Sequence, residues 1–394
     1  MLQRHAQSRL ARMAQSFPVV VVTGPRQSGK TTLVKTAFPD RPYLSLEDLD
    51  VRARVMNDPR GFLRQHADGV VLDEVQRVPQ LLSYLQTQVD EQRLPGRYIL
   101  TGSQNLLMTE QTSQSLAGRA AYLDLLPLSY AESHAADAKL SLDALLLRGA
   151  YPQVVAQNVH ASEWFEAYVR SYVERDVRQI SQINDLTAFQ RFLRMMAART
   201  GQLINLNSIA MDLGMAQTTL KSWMSVLEAS YISFRLLPYH TNFGKRLVKT
   251  PKLYFYDVGL AAWLLGIHDE ATLNVHPMRG ALFENYIVLQ YLKYCKNTGR
   301  NDYMYFWRDN TGNEIDLLIE RAGVLSAIEL KSGATFNTEW LRAMELWMKH
   351  TDGVRRSAGM VISDAPVNAW HGKYFAAHWR DAAALLRPAA ASKI

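Results

Sequence analysis

Residues 24–31 read Gly-Pro-Arg-Gln-Ser-Gly-Lys-Thr, directly after the β-branched run Val19–Thr23. A glycine, four residues and then Gly-Lys-Thr is the Walker A spacing. Gly24 and Gly29 let the backbone turn sharply around an anion, so that successive N–H groups and the next helix N-terminus point at it. Lys30 can reach β- and γ-phosphates, and the Thr31 hydroxyl can bind magnesium. The run Val19–Thr23 predicts a buried strand and Thr32–Ala37 the helix after the loop, which is the context the motif needs. The expected nucleotide contacts are Gly24, Pro25, Arg26, Gln27, Ser28, Gly29, Lys30, Thr31 and Thr32. Arg26 could contact phosphate or a neighbouring subunit.

A second acidic signature follows at Val70-Val71-Leu72-Asp73-Glu74, an apolar strand ending in two carboxylates. That places both at the carboxyl edge of the sheet, where open α/β folds bind ligands. Asp73 would support magnesium together with Thr31, and Glu74 would polarise the attacking water as a general base. In Tyr98-Ile-Leu-Thr-Gly-Ser103 another strand ends in hydroxyls, so Thr101 or Ser103 could touch the γ-phosphate or the water. Arg119, after Leu-Ala-Gly, is a candidate arginine finger, within one chain or across a subunit boundary. Glu74, Lys30 and Arg119 form the catalytic set. Short strands at 44–46, 69–72 and 97–101 alternate with helical patterns at 48–56 and 80–91, which predicts a parallel sheet with helices on both faces.

The chain has 394 residues, 48% apolar and 21% charged, which excludes a largely disordered chain, a collagen-like chain or a coiled-coil rod. Lys and Arg number 44 against 37 Asp and Glu, a net charge of +7 that permits a polyanionic partner without requiring one. The single cysteine, Cys295, excludes an intramolecular disulfide and a Cys-rich zinc site. No apolar run approaches the roughly 20 residues a membrane span needs, so no membrane partner is expected. The basic start is followed by no long apolar region, and a cytoplasmic protein is the expectation.

The ATP-binding segment resembles AAA+-superfamily ATPases, and more narrowly bacterial and archaeal ATP-binding proteins that join such a module to a C-terminal domain of unknown function. The matching segments are 24–33, Leu-Asp-Glu-Val-Gln (72–76), Leu-Thr-Gly-Ser-Gln (100–104), Leu-Ala-Gly-Arg (116–119) and Leu-Pro-Leu-Ser (126–129). Further on they are Arg-Gly-Ala-Tyr-Pro (148–152), Tyr-Val-Glu-Arg-Asp (172–176), Tyr-Asp-Val-Gly-Leu (256–260) and the 306–331 region. The resemblance implies ATP and Mg2+ as ligand and cofactor, and a winged-helix middle.

The residues give that middle a reading of their own. Asn207 could cap a helix Ser208–Leu213, Gly214 gives a turn, and Gln217–Glu228 a second helix with Gln217, Thr218, Lys221 and Ser225 facing outwards. A basic stretch follows, Arg235, Lys245, Arg246, Lys249 and Lys252, with Tyr239 and Phe243 between. A helix-turn-helix with a β-wing fits this order. Such charges would contact DNA phosphates, which gives affinity without sequence choice; alternatively the module only packs between its neighbours. Asp257 reads as structural.

From about 280 the pattern is a helix at 281–294, strands at 303–307, 314–320 and 325–331, a helix at 338–349 and a strand at 358–363. Glu329 and Lys331 are two apart in a strand and share a face. Asp316 can join them if the strands pair, and Glu284 can add a fourth member from the helix. Helix Glu, strand Asp, strand Glu-x-Lys resembles the restriction-endonuclease-like fold, which implies a second metal site for magnesium or manganese and a nuclease. Glu314 and Glu320 would fall on the same face as Asp316.

The expectation is therefore an α/β protein in three parts: a P-loop NTPase parallel sheet (1–135), a helical and winged-helix module (136–278) and a restriction-endonuclease-like α/β domain (279–388). Its expected function is Mg2+-dependent ATP binding and hydrolysis. Three readings of the remainder stay open: an inert C-terminal scaffold, an ATP-gated nuclease, or a nucleotide-sensing regulator that binds DNA or a protein client with little turnover. The sequence leaves the oligomeric state open.

Overall fold

The computed structural model describes residues 2–103, 116–134, 140–157, 159–173, 185–239, 250–350 and 354–386. Residues read above that lie outside them are Gln104, Glu174–Asp176, Phe243, Lys245, Arg246 and Lys249.

In chain order the front of the molecule contains α1 (Ala6–Ser16), β1 (Val19–Thr23), α2 (Lys30–Ala37), β2 (Tyr43–Ser45), β3 (Val70–Asp73), α3 (Leu81–Glu91), β4 (Tyr98–Gly102) and β5 (Ala120–Asp124). The strands form one sheet in the order β2-β3-β4-β1-β5, and every neighbouring pair is parallel. Strand β1 is apolar without alternation because both its faces are covered. Val19 and Val21 pack with Leu72, Leu85 and Leu100 on one side, while Val20 and Val22 pack with Leu10, Leu33 and Ile99 on the other. The parallel register brings Thr23, Gly102 and Asp124 to one level at the carboxyl edge. Strand β5 gave no sequence signal: it is Ala-Ala-Tyr-Leu-Asp, an edge strand with two weak β-formers and an exposed Tyr122.

Beyond it lie α4 (Pro152–Gln157), α5 (Leu206–Leu213), α6 (Gln217–Ala229), β6 (Ser233–Pro238), β7 (Lys252–Phe255), α7 (Arg279–Thr298), β8 (Tyr303–Arg308), β9 (Glu314–Arg321) and β10 (Val324–Lys331). These are followed by α8 (Arg342–His350), β11 (Gly359–Ser363), β12 (Ala369–His371) and β13 (Tyr374–His378). Helix α5 starts two residues earlier than expected. Asn205, not Asn207, is its cap, and the Asn205 side chain accepts hydrogen bonds from the Asn207 and Ser208 N–H groups. Gly214 follows with φ 64°, the left-handed value that ends a helix.

Strands β6 and β7 form an antiparallel pair where a β-wing was expected. They do not stand free as a wing. Leu237 and Pro238 of β6 pair in parallel with Tyr305 and Phe306 of β8, so the pair forms one margin of an eight-stranded sheet ordered β12-β13-β11-β10-β9-β8-β6-β7. The reason is burial: Leu236, Leu253 and Phe255 belong to one apolar core that runs from Leu142 through α6 and α7 to Leu386. The sheet and this core continue across residue 278.

Candidate nucleotide site

The loop after β1 has the shape its glycines predict. Gly24 sits at φ 146° and Gly29 at φ 90°, both unfavourable for other residues. A Cβ on Gly24 would also collide with the Leu125 carbonyl oxygen, because β5 ends against the start of the loop. Gly29 leads into α2, whose first residue is Lys30. Lys30 is buried and donates from Nζ to the Gly24 and Pro25 carbonyls, at 3.1 and 2.9 Å. The loop is thus closed around its own ammonium, and a phosphate would exchange those carbonyls for its oxygens. The Ser28 hydroxyl is fully buried and has no partner among the described residues.

Asp73 ends β3 beside it. The Thr31 hydroxyl donates to Asp73 Oδ2 at 3.0 Å, and the Tyr43 and Thr101 hydroxyls donate to the same carboxylate. Burial and the Asp73 charge push the Tyr43 hydroxyl pKa up, so Tyr43 stays a proton donor here. A threonine hydroxyl in contact with a carboxylate is a hard-oxygen pair, which fits a hard divalent ion such as magnesium. Glu74 follows in the left-handed region at φ 55°, which turns its side chain out of the strand line. Ser103 Oγ donates to Glu74 Oε2 at 3.1 Å, and the Gln76 amide donates to the same oxygen. Thr101 and Ser103, expected at the γ-phosphate or the attacking water, each donate to one of the two carboxylates, Asp73 and Glu74.

Arg119 is the catalytic candidate that the fold does not bring to the loop. It precedes β5, and its carbonyl accepts from the Val19 N–H, so it lies at the amino edge of the sheet, the length of β1 away from Gly24. There it forms a two-pronged ion pair with Asp90, at 2.5 and 2.7 Å. It cannot act as a finger on its own chain's nucleotide in this arrangement.

Several contributors left no sequence signal. Arg4 donates to the Ser28 carbonyl at 2.6 Å and the Leu126 carbonyl at 2.6 Å, and pairs with buried Glu132 at 3.2 Å. A cleft of about 760 Å³ opens over the loop, lined by Arg26, Lys30, Thr31, Thr32, Glu74 and, from α4, Pro152 and Gln153. At the end of β1, Thr23 Oγ1 donates to Asp124 Oδ1 at 2.9 Å. The Tyr231 hydroxyl, from the turn after α6, lies 2.8 Å from that oxygen, and Lys296 of α7 donates to Asp124 Oδ2 at 2.5 Å. Burial alone would raise the Asp124 pKa; Lys296 and the two hydroxyls outweigh it and bring it below the usual carboxylate value. The residue before the phosphate loop is thereby tied to both later segments.

On α6, Thr218, Lys221 and Ser225 are exposed, as the outward face was read, and Gln217 is half-buried. Two members of the basic stretch are not free for phosphates. Arg235 is paired with Glu228 at 2.8 Å, and Lys252 is buried.

The C-terminal carboxylates do gather, but not as an open metal site. Lys252 Nζ lies 2.8 Å from Glu284, against Glu314 and 3.9 Å from Asp316. Lys331 pairs with Glu329 at 2.6 Å, and Asp316 Oδ2 accepts the Leu330 N–H at 2.8 Å. Glu314 joins the cluster, as alternation predicted, while Glu320 lies across from Tyr303 at the far end of β9. Glu284 and Asp316 of the expected second metal site thus meet Glu314, with one ligand atom from each within 4.8 Å of the others, while Glu329 and Lys331 pair with each other. The ammonium among them comes from Lys252, in another part of the chain.

The family model described as AAA domain matches residues 16–134, and two models described as domains of unknown function, DUF8612 and DUF4143, match 139–271 and 279–380. The uncharacterized protein Rv2008c of Mycobacterium tuberculosis is 32% identical over 336 residues, covering 84% of this chain and 74% of that protein. The chain belongs to this family. Another relative, the uncharacterized protein MJ1637 of Methanocaldococcus jannaschii, is 22% identical over 400 residues, covering 88% of this chain and 80% of its own. Among solved structures, the Walker-type ATPase PABY2304 of Pyrococcus abyssi overlaps with TM-score 0.47 and 16% identity over 66% of this chain and 94% of its own. By its family-model match, this chain carries an AAA-type domain at its front, and the phosphate loop described above lies inside it. No helix among the described residues is long and apolar enough to cross a membrane.

Proposed function

We propose that this chain is a magnesium-dependent ATP hydrolase that passes its nucleotide state to the segments behind it. The observation that carries the reading is the joint placement of Lys30, the Thr31–Asp73 pair and Glu74 along one sheet edge, under a cleft large enough for a nucleotide. Lys30 would leave the Gly24 and Pro25 carbonyls for the β- and γ-phosphates. Thr31 and Asp73 would hold the magnesium ion, which supplies charge neutralisation of the phosphates when bound. Glu74, held by Ser103 and Gln76, would accept the proton of the attacking water.

The functional parts we assign are 1–135, 136–278 and 279–388, the last two sharing one sheet and one apolar core. Movement of the loop would be felt at Thr23, and through Asp124 at Tyr231 and Lys296. Helix α4, as a wall of the cleft, gives a second route. A finger role for Arg119 requires a neighbouring subunit. Phosphate release from ATP should require Mg2+ and stop on chelation with EDTA. Release at background with millimolar Mg·ATP would contradict the hydrolase reading.

A further inference from the structure

We propose that the acidic cluster of the C-terminal sheet is a cation site whose resident cation is the ε-ammonium of Lys252, so that it takes no divalent metal while β7 is docked. Lys252 and Tyr254 are two apart in β7 and share a face. Both reach Glu284: the ammonium at 2.8 Å and the Tyr254 hydroxyl at 2.5 Å, on the same oxygen Oε1. The ammonium also touches Glu314 Oε1 and lies 3.9 Å from Asp316 Oδ1. One ligand atom from each of these three carboxylates lies within 4.8 Å of the others. That is the geometry a divalent ion would use, and the lysine stands in the middle of it.

Three of the remaining oxygens are committed to protein donors, while Glu329 Oε2 is buried without a partner among the described residues. Arg308 donates to Glu314 Oε2 at 3.0 Å, the Leu330 N–H to Asp316 Oδ2 at 2.8 Å, and Lys331 pairs with Glu329 Oε1 at 2.6 Å. Lys252 is only 1% exposed, and its ammonium lies 5.5 Å from the centre of the Phe306 ring. Burial would favour the neutral amine, but the surrounding carboxylates outweigh it and hold the lysine well above its ordinary pKa. A buried, charged ammonium at contact distance repels a second cation. Buried acids without a counter-charge would be costly, so the lysine also fastens β7 to α7 and β9. The residues that resemble a nuclease site thus act as an electrostatic latch that holds β7, at the margin of the sheet, against α7 and β9. The proposal does not depend on ATP hydrolysis.

The test is Mn2+ titration of the full chain without nucleotide, with free Mn2+ read by electron paramagnetic resonance. Wild type, Asp316→Asn, Lys252→Met and the double variant would be compared; any Mn2+ held at Thr31 and Asp73 is common to all four and cancels. Wild type and Asp316→Asn should take up equal Mn2+. Lys252→Met, which keeps the apolar stem, should gain one Mn2+ per chain, and the double variant should lose it. A wild-type site that Asp316→Asn removes would overturn the proposal. So would a Lys252→Met protein with native circular dichroism and no gained site. Should Lys252→Met fail to fold, the wild-type and Asp316→Asn comparison decides alone: equal uptake supports the latch, and a lost site refutes it.

Discussion

Replacing Glu74 by glutamine is expected to lower phosphate release roughly 100- to 10,000-fold, the usual contribution of a positioned general base, while Mg·ATP binding persists. The side chain keeps its length, and the glutamine carbonyl can still accept the Ser103 hydroxyl that now donates to Glu74 at 3.1 Å. What is lost is the ability to take a proton from water. Asp73 keeps its own three hydroxyl donors, Thr31, Tyr43 and Thr101, so the magnesium position is untouched. Single-turnover hydrolysis and equilibrium binding, measured on the same preparation, separate the two effects. Release at the wild-type rate would remove Glu74 from the chemistry.

The second large effect is on stability. Arg4→Ala should destabilise the front of the molecule by about 3–5 kcal/mol, the range for breaking a buried ion pair from one side. Arg4 is 8% exposed, and its guanidinium serves three acceptors at once: Glu132 and the carbonyls of Ser28 and Leu126. Burial pushes the Glu132 pKa up, but Arg4, together with the His5 and Ser129 N–H groups, outweighs it and holds it below its ordinary value. Without the arginine the carboxylate keeps only the smaller contributions. The Ser28 carbonyl would lose its tether as well, so nucleotide affinity should fall along with stability. Arg4→Lys should restore only part of either, since an ammonium cannot reproduce the planar fork. Urea unfolding followed by tryptophan-independent circular dichroism measures the loss; an unchanged midpoint would show that the clamp is not structural.

What could be read in advance was local. The strand, loop and helix around Gly24–Thr31 form a contiguous signal, and so does the apolar strand ending in Asp73 and Glu74. Their chemistry depends on residue order, which the sequence displays. Contacts between distant residues had no such signature. Arg4 and Glu132 are 128 positions apart, and Asp124 and Lys296 are 172 apart. Lys252 shows the difficulty most clearly. It belongs to a run of basic residues whose ordinary reading is a solvated, phosphate-facing surface. Its burial follows from strand β6 pairing with β8, which carries β7 against the acids of α7 and β9. For Arg119 the sequence leaves its own chain and a neighbouring subunit both open, because the end of the sheet it occupies is set by strand β5, which carries no sequence signal.

The decisive measurement is calorimetric titration of the full chain with Mg2+ and a non-hydrolysable ATP analogue, for wild type and Lys30→Ala. One analogue should bind per wild-type chain, and binding should vanish in Lys30→Ala while its circular dichroism spectrum stays native. A wild-type chain that binds none, or a Lys30→Ala chain that binds equally well, would show that the loop between β1 and α2 is not a triphosphate cradle.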